Sequence, residues 1–346
     1  CRQCPPLYRW SLNMPLSLCM IVKDEAFFLH DCLAAAAPHV DELVVVDTGS
    51  TDGSKGIAAE FTDRVFDYTW HDDYAAARNY SLEQACCDWI LVLDADELVT
   101  PTDFAALRRL TESTTLDGFF LKQCNYNNDQ SAFGWQPAQD LTLSRGFTGF
   151  TVNPILRLFR NRPDIRYAGS IHETVDAAIA EDRQGTLDTP IHHYIDANPA
   201  RPRAARSLRY LELMERELAA APSGRLYSIA ATSAMYHAND CARARDYFMR
   251  AAELGYRPGH SLEGAAEACY RAQDFGAAND LYQHADAAGH RTPSMCLNRA
   301  NLAVKAGDHE RAAALLQACL DLGGLSAEIN DVIQQNIDRL TARSQR

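Results

Sequence analysis

Three aspartates, Asp240, Asp274 and Asp308, stand 34 residues apart, and Ala244, Ala278 and Ala312 keep the same step four positions later. Phe248, Tyr282 and Leu316 form a third column and Tyr236, Tyr270 and Val304 a fourth, while Pro258 and Pro293 follow at a step of 35 and are expected to close their units. A repeat of this length holds two helices and a turn. One such unit cannot bury its apolar face alone, so neighbours must stack; the alanines mark close helix approaches and the aspartates the turns. Beyond about Pro199 the strand signals vanish, and residues 199–340 are expected to be an all-α repeat domain with residues 204–220 as its leading helix.

The first half obeys a different period. Short apolar runs at 16–22, 43–46, 65–68 and 89–93 alternate with amphipathic stretches at 26–37, 54–61 and 74–85. Strand–helix–strand alternation at this spacing predicts right-handed crossovers and a largely parallel sheet, which binds ligands beyond the carboxyl ends of its strands. Thr100 as N-cap, Pro101 at the first helical position and Asp103 in the first turn announce one more helix. Strands are expected at 118–123 and 155–159, with a polar, aromatic loop near the substrate at 125–149. Met14 directly precedes the first strand-like run, so residues 1–13 read as a tag or upstream extension and residues 14–198 as the α/β domain.

A net charge of −13 argues against nucleic acid as a partner, because counterion release needs a basic face. Between Arg145 and Arg209, however, ten arginines and no lysine face seven acidic residues, enough local positive charge for an anionic ligand. No apolar run reaches the ~20 residues of a membrane span. Eleven cysteines are scattered, with Cys1 and Cys4 lacking a second pair to complete a zinc site. That pattern points to a reducing, cytoplasmic setting with most thiols as small core residues.

Chemistry concentrates after the strands. Asp94-Ala95-Asp96-Glu97 follows Ile90-Leu91-Val92-Leu93, which puts two carboxylates one residue apart at the ligand edge, where Mn²⁺ or Mg²⁺ is held by sparse carboxylates plus substrate phosphates. Asp47 ends the run Val44-Val45-Val46 and opens a Gly/Ser/Thr loop; it suits a ribose or base edge, while Ser50 or Thr51 caps the next helix. Asp72-Asp73 precede a helix carrying Arg78 and Asn79, and Arg78 is a candidate for the donor nucleotide or its phosphate.

These stretches, with Ile21-Val22-Lys23-Asp24-Glu25 before them, closely resemble family 2 glycosyltransferases of the GT-A fold. The 34-residue repeats resemble tetratricopeptide repeats. Together with Arg157-Leu158-Phe159-Arg160-Asn161 and Tyr167-Ala168-Gly169-Ser170-Ile171-His172-Glu173, they are similar to the repeat-bearing branch that includes S-glycosyltransferases of bacteriocin peptides. The resemblance implies an α/β GT-A domain followed by an all-α tetratricopeptide-like domain, a UDP-sugar donor, and metal-dependent inverting transfer to a Cys, Ser or Thr of a peptide or protein bound with help from the repeats. In that frame Asp24 or Glu25 lines the nucleotide pocket, Asp47 meets uracil or ribose, Arg78 reaches the base, and Asp94 and Asp96 engage ribose, metal and diphosphate. His193 supplies a third metal ligand.

The Glu-Asp pair in which many relatives place the catalytic base is missing from the matching stretch. Glu173 is the candidate base, His172 its orienting neighbour and Asp140, in the polar loop, the reserve. Two other functions stay open: transfer to lipopolysaccharide core or another glycan, and a non-catalytic scaffold, against which the intact Asp47, Arg78, Asp94 and Asp96 speak. Repeat arrays often expose an end that pairs, so a homodimer is among the partners considered.

Overall fold

The computed structural model describes residues 14–130, 134–194, 197 and 203–344. The extension at 1–13, the Cys1–Cys4 spacing and the change of composition near Pro199 lie outside the described residues. The chain divides after Arg203 into two compact units, a mixed α/β unit and a run of paired helices.

In the first unit β1 (Leu16–Val22), β2 (Glu42–Asp47), β3 (Val65–Asp67) and β4 (Trp89–Val92) pair in parallel in the order β3-β2-β1-β4. Between them run α1 (Leu29–Ala36), α2 (Ser54–Phe61) and α3 (Tyr74–Gln84). β1, β2 and β4 are buried on both faces, whereas the edge strand β3 is partly exposed. Leu16, Leu18, Met20 and Val22 point into a core shared with Leu29 and Leu33 of α1, whereas Cys19, Val44, Val46, Ile90 and Val92 meet Ala75 and Leu82 of α3. Covering both faces explains why these runs are continuously apolar rather than alternating. Helix α4 (Pro101–Ser113) starts as the sequence signals: Thr100 accepts from the Asp103 amide, and Phe104 and Leu107 join the first core.

Beyond β4 the parallel expectation gives way to a mixed sheet. The order continues through β8 (Gly149–Arg160), β6 (Gly118–Asn127), β9 (Gln184–His193) and β5 (Glu97–Leu98), with the short β7 (Gln136–Pro137) against β8. No helix is described between β6 and β8, so the chain returns antiparallel; β9 then runs parallel to β6 and antiparallel to β5. Residues 125–127, assigned to a loop from sequence, extend β6. Strand β9 escaped the sequence reading because Gly185, Asp188 and Pro190 break its pattern; β5 reaches only its last two residues, so Pro190 lies on open edge, where its missing N–H is tolerated.

The second unit comprises α5 (Arg203–Ala220), α6 (Gly224–Tyr236), α7 (Cys241–Glu253), α8 (Pro258–Arg271), α9 (Phe275–Ala287), α10 (Pro293–Lys305), α11 (His309–Leu322) and α12 (Ala327–Ser344). Asp240, Asp274 and Asp308 are the N-caps of α7, α9 and α11, accepting from the amides of Arg243, Ala277 and Arg311. Ala244, Ala278 and Ala312 are fully buried, as Phe248, Tyr282 and Leu316 nearly are. Each such large side chain contributes about 1.5–3 kcal/mol by leaving water. Gly264 on α8 lets the Phe248 ring close in, since a Cβ there would lie 2.7 Å from it.

Two details of the repeat differ from expectation. Pro258 and Pro293 open α8 and α10 rather than close the preceding units, because their missing N–H costs nothing at a first helical position. Two members of the fourth column face outward, Tyr236 and Val304 at 49% and 40% exposed, while Tyr270 packs partly buried against the core; Tyr236 donates to Glu267 and carries Arg271 over its ring. Eight described cysteines are free thiols, seven of them buried, whereas Cys86 is disulfide-bonded, which the expectation of a reducing setting did not foresee. No helix among the described residues is long and apolar enough to cross a membrane.

Candidate active site

Three parallel strands deliver acids to one edge of the first sheet: β1 runs out toward Asp24 and Glu25, β2 ends on Asp47, and β4 leads to Asp94. This is also where the sheet reverses its order of growth, with β2 on one side of β1 and β4 on the other, the place where open α/β sheets leave a crevice.

The two loops on the β1–β2 side are sewn together. Asp24, at φ 52°, accepts from the Thr51 amide at 2.6 Å, the Thr51 hydroxyl and the Asp52 amide, and its own amide donates to Ser50 Oγ. The Thr51 amide above all holds the Asp24 carboxyl below its ordinary range, against the small cost of its burial. Glu25 donates its amide to Ser54 Oγ at 2.7 Å. The sequence placed both acids in a nucleotide pocket; in the structure the recorded contacts of Asp24 and of the Glu25 amide shape the loop that follows Asp47. Within that loop Asp47 Oδ1 accepts from the amides of Gly49 and Ser50, both at 2.8 Å. Its Oδ2 is buried without a hydrogen-bond partner. A buried, unpaired acceptor costs about 1–3 kcal/mol, so a donor from outside the chain is chemically called for.

Asp94 sits between two arginines. Arg78 Nη2 donates to its Oδ1 at 2.7 Å and Arg157 Nη2 to its Oδ2 at 2.6 Å. Arg78 Nε also donates to Glu173 Oε1 at 2.5 Å, and Arg157 Nη2 reaches Glu97 Oε1 at 3.2 Å. The wholly buried Glu97 takes a second bond from Gln123 and, on its other oxygen, the Asp94 amide. Burial opposes ionisation of Asp94, but Arg157 and Arg78 outweigh it and hold the carboxyl far below its usual range. For Glu97 burial prevails over the attraction of Arg157, and its pKa rises.

Glu173 reaches this cluster through a tight turn closed by reciprocal backbone bonds between Ala168 and Thr174, with His172 left-handed at φ 51° beside it. Asn79, one residue past Arg78, exchanges hydrogen bonds with the Tyr167 backbone, which fixes that turn against α3. Asp140 is not brought in: it is exposed, and its Oδ1 caps its own turn through the amides of Thr142 and Leu143.

On the other flank, β5–β9 pairing sets Glu97 opposite His193 and leaves His193 Nε2 3.5 Å from Asp96 Oδ1. The other ring nitrogen, Nδ1, lies 2.6 Å from Asn125 Oδ1; since an amide oxygen only accepts, Nδ1 carries a proton and Nε2 faces the carboxylate. Burial disfavours the charged ring, but Asp96 outweighs it and raises the pKa to about 8. A carboxylate and an imidazole nitrogen, the latter oriented by an outer hydrogen bond, form a donor pair suited to a divalent cation. Asp94 does not complete a three-ligand set with them here, because its oxygens are on arginines.

Arg157, Glu97, Gln123 and Asn125 were absent from the expected site. A signal for Arg157 did exist: a charged residue inside the apolar strand Ile155-Leu156-Arg157-Leu158 demands a buried partner. Gln123 and Asn125 became visible only with the pairing of β6 to β9.

Residues 17–167 match the model of glycosyl transferase family 2. Over these residues the α/β unit is similar to that family. The chain is 39% identical over 164 residues to a TPR repeat-containing protein of Synechococcus elongatus, covering 47% of this chain and 36% of the relative. It is 33% identical over 89 residues to the lipopolysaccharide core biosynthesis glycosyltransferase LpsC of Rhizobium meliloti, covering 25% and 33%. To the glycosyltransferase SunS of Bacillus subtilis the identity is 25% over 156 residues, covering 44% and 33%. The chain thus spans about a third of the length of these relatives, and the likeness to SunS is too low to carry over its acceptor.

Proposed function

We propose that this unit is an inverting glycosyltransferase that takes a UDP-sugar as donor and a glycan hydroxyl as acceptor. The observation that carries the proposal is the Asp96–His193 pair, 3.5 Å apart, beside the Asp94–Arg78–Arg157 cluster on the ligand edge of the sheet. Asp47 Oδ2 receives a donor group of the nucleotide, such as the uracil imide. Asp96 and His193 hold Mn²⁺ or Mg²⁺, with Asp94 close by; the bound cation would neutralise charge on the diphosphate. Arg78 and Arg157 lock the Asp94 carboxylate in its ionised form, and Arg78 alone also bonds Glu173 and so fixes its turn.

Arg78 occupies Glu173 Oε1, which leaves Oε2 as the base. The acceptor oxygen bonds to the anomeric carbon as that carbon's bond to the diphosphate oxygen breaks. The hydroxyl proton passes to Glu173, and the electron pair departs with UDP. A glycan acceptor is favoured by the identity to LpsC, higher than that to SunS. A second reading, a peptide acceptor, rests on the repeats, since stacks of this type present surfaces suited to extended chains.

Calorimetry with UDP-sugars, with and without Mn²⁺, tests the donor side: binding should need the cation and weaken in Asp96→Ala. Unchanged binding in that variant would refute the assignment of Asp96. Mass spectrometry after incubation with glycan and with peptide acceptors decides between the two acceptor readings.

A further inference from the structure

The repeat unit carries a cluster that the glycosyl-transfer reading leaves unused. On α8, His260 and Glu263 are three positions apart and so share one helix face, and His290 lies in the link between α9 and α10. One ligand atom from each of the three side chains falls within 4.8 Å of the other two. His290 Nε2 is 2.7 Å from Glu263 Oε2, and the two imidazole rings stand edge to face with centroids 6.1 Å apart.

The surroundings hold these groups in place. The Thr292 hydroxyl, which caps α10, donates to Glu263 Oε1 and leaves Oε2 turned to the histidines. Gly259 lets the link approach α8, for a Cβ there would come within 2.3 Å of His290 Cβ. His290 itself is anchored by its amide to the Ala285 carbonyl at 3.0 Å, a bond that ends α9.

We propose that His260, Glu263 and His290 form a zinc site that clips α8 to the α9–α10 link. Two imidazoles and one carboxylate are a donor set that zinc takes with a fourth position left to water, whereas Mg²⁺ and Ca²⁺ prefer oxygen alone. Zinc bonds of about 2.0–2.2 Å put tetrahedral ligand atoms roughly 3.3 Å apart. The 2.7 Å contact would open slightly and the wider separations, up to 4.8 Å, would close. Such shifts are within the reach of side-chain rotation, because His260 is exposed and Glu263 and His290 are only partly buried. The Thr292–Glu263 bond supplies the outer-sphere orientation that zinc carboxylates use.

Zinc alone is the probe, added to the full chain after chelator treatment, with bound metal counted by elemental analysis and affinity measured by competition with a chromophoric chelator. The wild type should hold one more equivalent than either His260→Ala or His290→Ala, and Glu263→Gln should bind that equivalent at least about tenfold more weakly. Asp96→Ala should keep it, which separates this site from the candidate active site. His260 is exposed, so its variant should keep the wild-type circular dichroism and melting curve without metal. Equal zinc content and affinity in the wild type, His260→Ala and His290→Ala would overturn the proposal and leave a plain His290–Glu263 hydrogen bond.

Discussion

Removing Arg157 should unfold the α/β unit far more readily than its position in a strand suggests. Its side chain is 4% exposed and neutralises two carboxylates at once, Asp94 Oδ2 at 2.6 Å and Glu97 Oε1 at 3.2 Å. In Arg157→Met the volume is largely kept, so the loss is electrostatic: Glu97, wholly buried, keeps Gln123 and the Asp94 amide but no arginine, with only His193 as a nearby positive charge, while the Asp94 carboxylate keeps only Arg78. Breaking a buried pair by deleting one partner costs about 3–5 kcal/mol. For a domain of this size each kcal/mol lowers the midpoint by about 2–4 °C, which gives a drop of roughly 6–20 °C. All four tryptophans of the chain, Trp10, Trp70, Trp89 and Trp135, precede Arg203, so tryptophan emission follows this unit apart from the repeats. The pH dependence carries the sharper test. Without Arg157 the folded-state pKa values of Glu97 and Asp94 rise, so the native state binds more protons than in the wild type. The deficit should then be smallest in acid and grow as pH rises through those raised values. Adding Glu97→Gln should restore part of the loss at neutral pH. A deficit below about 1 kcal/mol, or one independent of pH, would refute the view that Arg157 acts by charge compensation.

Other outcomes follow from the same contacts. With the His193 pKa raised to about 8 by Asp96 against its burial, a cation must displace a proton from His193 below that pH; apparent Mn²⁺ affinity by calorimetry should rise up to about tenfold per pH unit and level off above pH 8, and His193→Gln should flatten the profile. Asp47→Asn should weaken UDP binding by roughly tenfold or more, because the acceptor at Oδ2 becomes a donor, while the melting temperature changes little, since the amide nitrogen that replaces the unpaired Oδ2 is itself buried without a partner. Ala278→Leu should destabilise the repeats by about 1–3 kcal/mol through overpacking, seen by far-UV circular dichroism, because Ala278 is fully buried.

The legible parts of this chain are those where one local rule decides the outcome. Buried parallel strands demand continuous apolar runs, so β1, β2 and β4 were visible; caps bind within three residues, so Thr100 was too, while Asp240, Asp274 and Asp308, read as turn residues, prove to be N-caps. Asp47 and Asp94 were singled out as carboxylates at strand ends, Arg78 as a cation in the second turn of a capped helix, and Glu173 only within the frame of the family resemblance. What stayed hidden depends on pairing over long separations. Gln123 meets Glu97 across 26 residues, Arg157 meets Asp94 across 63, and Asn125 meets His193 across 68. Each of these bonds exists only because β8, β6, β9 and β5 lie side by side in an order that local pattern does not encode. The same distance explains the difference in emphasis at the site. Sequence spacing made Asp94 and Asp96 look like equivalent cation ligands, whereas the sheet hands Asp94 to two arginines and Asp96 to a histidine. The Asp-Ala-Asp triplet is therefore a junction between two halves of a site, one side fixing Glu173 through Arg78 and the other facing His193. Substitution of either aspartate should accordingly fail differently: loss of Asp94 leaves Arg78 with Glu173 alone and Arg157 with Glu97 alone and disturbs the fold, while loss of Asp96 leaves the fold intact and removes the carboxylate that faces His193.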